Sequence, residues 1–220
     1  MMDAWGITWF TLVCATGATL LILPPGVALA WVLVRRQFPG RAMLESVVTL
    51  PLVVPPVATG LLLLLVLSRR GILGGALERI GIQVVFTWKA VVLAMAVMGL
   101  PLLVRTARAG FEQVDTRYER VAATLGAPPL RIFLTISLPL AWPAVLAGAV
   151  LAFARALGEF GATIVVAGSI PGVTRTLAVA IYGYTETGQD RQAMVLVAIA
   201  VVVAFAALWI SNRLVERRPR

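Results

Sequence analysis

The side chains best placed to do chemistry share one stretch, AFARALGEFGATIVVAGSIPGVTRTLAVAIY, residues 152–182. Arg155 and Glu159 are four residues apart, so a helix sets them on one face. The run around them is otherwise apolar, and an unpaired charge there is costly; the two must pair or border a water-filled cavity. Two readings are open. The pair is a structural brace at a helix bend, or it stands at the path or gate of an anion. Backbone amides at a helix break, with Thr163 and Ser169, have the donor chemistry a tetrahedral oxyanion requires. Gly158, Gly161 and Gly168 permit close helix approach.

Other chemistry is scarce. There is no Walker A sequence, no GxSxG, no HExxH and no carboxylate pair within one span. The chain has no His and a single Cys, Cys14, inside an apolar run. Disulfides, Cys/His metal sites and His-based catalysis are therefore not expected, nor is a cofactor. No catalytic residue is assigned; if ATP drives this protein, another polypeptide hydrolyses it.

The elements that hold these residues belong to a membrane. Of the 220 residues 60% are hydrophobic and 13% charged, with a mean hydropathy of +0.94. Continuous apolar runs near 20 residues predict an all-α, polytopic transmembrane helical bundle, not a β-barrel. Five spans are predicted, at about 8–34, 44–67, 84–104, 138–158 and 192–211. The run from Pro139 to Gly168 would be about 45 Å long as one helix, against ~30 Å of hydrocarbon, so a break is expected at Gly158-Glu159-Phe160-Gly161. A sixth short span or re-entrant piece near 160–180 is the alternative. Pro24 and Pro25 are expected to interrupt span one, and Pro51, Pro55 and Pro56 span two. The first span lacks a cleavage signature and is read as retained. The segment from Asn212 to Arg220 is too short to fold as a regulatory domain, so feedback by a bound oxyanion is expected elsewhere.

The net charge of +9 could suggest nucleic acid, but the arginines lie in loops between spans and read as topology signals; no nucleic-acid partner is expected. With the N-terminus outside, 12 basic residues fall inside (among them Arg35, Arg41, Arg108, Arg131, Arg213, Arg217, Arg218 and Arg220) and 6 outside. The expected orientation is N-terminus out, C-terminus cytoplasmic. Trp5, Trp9, Trp88 and Trp142 fall near span ends, as interface anchors do.

A polar stretch, YERVAATLGAPPLRIFLTISLP, residues 118–139, separates two apolar runs on the inside. Glu119 to Leu125 can form a short helix, Gly126-Ala127-Pro128-Pro129 ends it, and Leu130 to Ser137 can form another. Such a knob suits a surface that another protein grips. It resembles the cytoplasmic EAA loop of ABC-importer permeases, E-A-A-x-x-x-G-x9-I-x-L-P. Ala122, Gly126, Ile136, Leu138 and Pro139 match in register, whereas Arg120 takes the consensus glutamate position and Val121 that of the first alanine. In that family the loop docks on the ATPase. The resemblance implies a single transmembrane permease domain over residues 1–220 with a cytoplasmic coupling loop at 110–137. It implies ATPase contacts at Glu119, Arg120, Ala122, Leu125, Gly126, Ala127 and Pro128.

LGEFGAT, AGSIPGVTRTLAVAIY, VRRQFPGRAMLESVVTLPLVVPPVATG and SRRGILG extend the likeness to nearly the whole chain. Together they resemble the molybdate permeases (ModB type) of the binding-protein-dependent importers. The resemblance implies the type I ABC importer permease fold and a place in the bacterial inner membrane. It implies a homodimer, two cytoplasmic ATPase subunits and a periplasmic oxyanion-binding protein. Molybdate, and also tungstate, is the implied cargo, moved by alternating access. Sulfate/thiosulfate permeases share GEFGA but are longer, and are the alternative within the class. A self-contained channel or ion-driven carrier would need no docking knob. An intramembrane enzyme would need catalytic groups that are missing.

Overall fold

A computed structural model describes residues 4–216, with side chains for residues 4–209. Arg217, Arg218 and Arg220 of the topology count lie outside the described residues, as does the side chain of Arg213. The regular elements described are all helical. They are α1 (Ala4–Arg35), α2 (Arg41–Thr49), a 3-10 turn (Leu50–Leu52), α3 (Pro56–Leu67), α4 (Ile72–Arg79), α5 (Trp88–Gln113) and α6 (Thr116–Thr124). Then come α7 (Pro129–Ile132), a π turn (Phe133–Ser137), α8 (Leu138–Leu157), α9 (Gly161–Val166), α10 (Leu177–Glu186) and α11 (Asp190–Glu216). Local chemistry sets several starts. The side chains of Thr87, Asp115 and Thr176 accept from backbone amides in the first turns of α5, α6 and α10.

Among the described residues, four helical stretches are long and apolar enough to cross a bilayer: α1, α5, the rod Pro129–Leu157, and α11 from Asp190 to Trp209. The second predicted span is not one kinked helix. Arg41–Leu52 and Pro56–Leu67 meet at 112°, a corner between two half-length pieces. Pro55 is extended at ψ 134° and Pro56 starts α3, where its missing N–H costs no bond. Pro24 and Pro25, by contrast, do not interrupt α1, which runs unbroken for 32 residues. Each removes one ladder bond, and the bonds on either side carry the helix through.

The break expected in the fourth run is present. α8 ends at Leu157, and α9 begins at Gly161. No sixth span forms: α9 has 6 residues and α10 has 10, about 15 Å at most and too short to cross. The second short helix expected in the knob is not separate either. Residues 129–157 form one rod of 29 residues. The rod widens into the π turn where Pro139 has no N–H for Thr135 and its ring would press on that carbonyl; Leu138 N–H donates instead to Phe133 O, five residues back.

α5 is the central helix, with thirteen buried residues, and it packs on α1 and α8. Small residues let the backbones approach. A Cβ on Gly148 would lie 3.1 Å from Leu103 O, and one on Gly99 would lie 3.2 Å from Ala152 O. The bent half-span α3 packs on α9, and α10 on α11. Trp5, Trp9 and Trp88 are exposed near helix starts, as interface anchors require.

Candidate coupling surface and anion path

The knob reduces to one helix, α6, followed by a glycine stop. Gly126 has φ +82°, its N–H donates to Ala123 O at 3.0 Å, and Ala127 N–H donates to Ala122 O at 3.0 Å. This pair of bonds is a Schellman cap, which wants glycine at the left-handed position. A valine there costs about 1–3 kcal/mol in backbone strain, although the space beside Gly126 is open. Gly126→Val is therefore expected to fray α6 and weaken co-purification of the ATPase that the resemblance implies, while span assembly is unaffected. Normal retention and normal substrate-stimulated hydrolysis would show that this cap does not matter to coupling.

No residue of α6 is buried. Tyr118 and Val121 are exposed, Leu125 is 82% exposed, and Leu130 beyond the cap is 69% exposed. An apolar stripe on an exposed short helix is the shape a groove on another protein accepts. Arg120, Gly126 and Pro128 are also exposed, while Ala122 and Ala127 are half-buried. Arg120 reaches only its own helix, donating to Thr116 Oγ1 at 3.4 Å.

Glu119 faces the other way, into the helical bundle. Arg35 Nε lies 3.0 Å from Oε1 and 2.9 Å from Oε2 of its carboxylate, and Ser137 Oγ donates to Oε1 at 2.7 Å. Arg35 Nη2 also donates to Val114 O at 3.1 Å. A second cluster lies nearby: Arg108 pairs with Glu45 of α2 and, at 2.8 Å, with Glu112 on its own helix. Sequence reasoning missed Arg35, Ser137, Glu45 and Arg108 as partners. Arg35 and Glu119 are 84 residues apart, and no local pattern links them. A groove of about 730 Å³ opens beside α6, lined by Thr106, Gly110, Gln113, Asp115, Tyr118 and Ala144 among others. It lies away from Arg155.

Arg155 and Glu159 do meet. Arg155 Nη1 is 2.6 Å from Glu159 Oε2, close enough for an ion pair but without the alignment of a hydrogen bond. The Glu159 side chain is 1% exposed and that of Arg155 27%. Glu159 Oε1 accepts from Ala162 N–H at 2.8 Å, so the carboxylate caps the start of α9 and occupies an amide that an anion would otherwise need. Thr163 is fully buried, its Oγ1 without a protein partner. Ser169 is drawn elsewhere: its Oγ accepts from Arg175 Nε at 3.1 Å in the loop after α9. The structure thus joins Arg155 to Glu159 and sets Thr163 one turn on. It gives Ser169 to Arg175.

Among the described residues, three apolar rods and a bent pair around α5, with an exposed amphipathic helix between α5 and the rod Pro129–Leu157, define a multi-pass membrane permease of the type I ABC importer fold. Solved structures share the architecture. One is a bacterial ABC transporter involved in the import of the acidic polysaccharide alginate, with a TM-score of 0.75 at 18% identity, covering 100% of this chain and 82% of that one. Another is the MetNI methionine ABC transporter, with a TM-score of 0.70 at 18% identity, covering 99% and 94%. The chain belongs to the family of binding-protein-dependent transport system inner membrane components, which matches residues 22–220. It is 45% identical over 222 residues to the molybdenum transport system permease protein ModB of Escherichia coli (strain K12), covering 98% of this chain and 97% of that protein. The corresponding ModB of Haemophilus influenzae is 42% identical over 209 residues, with 92% and 91% covered. The sulfate transport system permease protein CysT of Salmonella typhimurium is 34% identical over 207 residues, with 94% and 75% covered.

Proposed function

We propose that this chain is the membrane-spanning permease subunit of an ATP-driven importer of molybdate, and of the similar dianion tungstate. The observation that carries the proposal is the 45% identity to a molybdenum permease across nearly the full length of both chains, against 34% to a sulfate permease. ATP is hydrolysed on two separate cytoplasmic subunits, and a periplasmic oxyanion-binding protein delivers the cargo. Two copies of the permease enclose the path, since one copy offers only four long spans and a bent pair.

The chain's own residues divide the work. The 110–137 segment is the coupling loop, and the exposed stripe Tyr118, Val121 and Leu125 is its contact with the ATPase. The acidic and basic side chains around Arg35, Arg108 and Glu119 gather at this end of the bundle, which supports a cytoplasmic placement and an outward N-terminus. At the α8–α9 break, the caps on Glu159 favour the brace over the direct anion contact. Arg155, 27% exposed, and the buried hydroxyl of Thr163 remain the groups with capacity to face a passing dianion.

The test is uptake by proteoliposomes holding permease, ATPase and binding protein. Molybdate should accumulate only with ATP inside the ATPase compartment and binding protein on the other face, and excess sulfate should leave the rate unchanged. Equal transport of sulfate would replace molybdate by the wider dianion class. Uptake without ATP would sink the importer reading itself.

A further inference from the structure

α6 presents a mechanical problem. It carries the exposed stripe assigned to the ATPase, yet none of its own residues is buried. A helix with no fully buried residue passes a push to its neighbours only weakly by packing. Beyond light contact with α7 and the π turn, its polar tie to the body among the described residues is the carboxylate of Glu119. That group is held by Arg35 at the end of α1 and by Ser137, fully buried in the π turn at the base of the fourth span. Arg35 extends the tie to Val114 O, at the junction of α5 and α6. The side chains of Arg35 and Glu119 are only 13% and 15% exposed, so water competes weakly for the pair. The π turn is a place where a helix can change register. Phe133, the first residue of the turn, anchors it further: its ring lies 5.2 Å from that of Trp31 of α1 and 6.1 Å from that of Phe111 of α5.

We infer that Arg35, Glu119 and Ser137 form an internal latch that delivers displacement of α6 to α1 and to the π turn at the base of the fourth span. Glu119 is thus a positioning residue turned toward the permease, not part of the face the ATPase grips. The inference rests on the reading of α6 as the ATPase contact. A latch of this kind sets how much transport each ATP produces, whereas a docking residue sets whether the ATPase is held.

The experiment uses the assembled complex in proteoliposomes and reads two quantities: ATPase retained through purification, and molybdate imported per ATP hydrolysed. Glu119→Gln should retain the ATPase and its hydrolysis, while molybdate per ATP falls about tenfold, because a charge-assisted bond is lost. Ser137→Ala removes one buried hydroxyl and should lower the same ratio by about threefold. Arg35→Gln with Glu119→Gln should be no worse than Arg35→Gln alone, as groups in one network are not additive. An unchanged ratio in Glu119→Gln and Ser137→Ala overturns the latch. So does loss of the ATPase from Glu119→Gln, which would make the carboxylate a docking contact, or additive losses in the double variant. Failure of all these variants to accumulate would show that the three groups serve folding alone, and also overturns it. Failure of the underlying reading has a separate signature: Leu125→Asp, on the exposed stripe, would keep the ATPase and full transport.

Discussion

Replacing Arg155 by alanine is expected to lower the yield of folded permease more than replacing Glu159. The asymmetry follows from burial. Glu159 is 1% exposed, so removing its cation strands a carboxylate in the protein interior, while Arg155 at 27% exposed keeps access to water when its partner is lost. Stranding the carboxylate costs about 3 kcal/mol. Glu159→Ala costs less in charge but also uncaps the Ala162 amide, for about 1–2 kcal/mol. Glu159→Gln can keep that cap and should be the mildest of the three. The double variant Arg155→Ala/Glu159→Ala should recover part of the Arg155→Ala loss. Thermal unfolding of the detergent-purified protein measures all four; strictly additive losses would mean that the two side chains do not support each other.

The second large effect is expected at Gly60. α3 is only 12 residues long and enters from a 112° corner, so its position depends on what it packs against. That contact is α9. A Cβ on Gly60 would lie 2.7 Å from Ala162 O and 2.8 Å from Ala162 Cα, backbone atoms that cannot rotate away. A Cβ on the facing Gly161 would lie 2.7 Å from Cβ of Pro56. Gly60→Ala should cost about 1–3 kcal/mol, and Gly60→Val more, by forcing the two short helices apart. Gly183, on α10, provides the comparison: nothing lies within 4 Å of its added Cβ, so Gly183→Ala should be neutral or slightly stabilising. Wild-type folding and transport by Gly60→Val would refute the close α3–α9 contact.

The residues that sequence reading placed well share one property: their signal is local. The Gly126 stop, the Gly158–Gly161 break and the pairing of Arg155 with Glu159 each depend on neighbours within a few positions. The misjudged elements depend on distant ones. The prolines at 24 and 25 and those at 51, 55 and 56 look alike in sequence, yet α1 continues through the first pair and the chain turns a corner at the second set. α1 lies along α5 and α8, whereas α3 is drawn onto α9. Ser169 was grouped with Thr163 by proximity in the chain, but the loop after α9 gives it to Arg175.

By itself, then, the sequence determined that the chain crosses a membrane several times, roughly where, and which polar segment stands outside the lipid with a helix and a glycine stop. Continuous apolar runs specify burial in hydrocarbon without reference to any partner. The tertiary structure decided which faces of those runs meet. In lipid the outward and inward faces of a span are both apolar, so periodicity does not mark the packed side as it does in water. Contacts fall instead where small residues admit a backbone, as at Gly60 and Gly148, and where charges must find each other, as Glu119 finds Arg35 across 84 residues. That is why the sequence could place Glu119 in the polar stretch at 118–139, while only the folded chain showed it turned inward, onto the helical bundle.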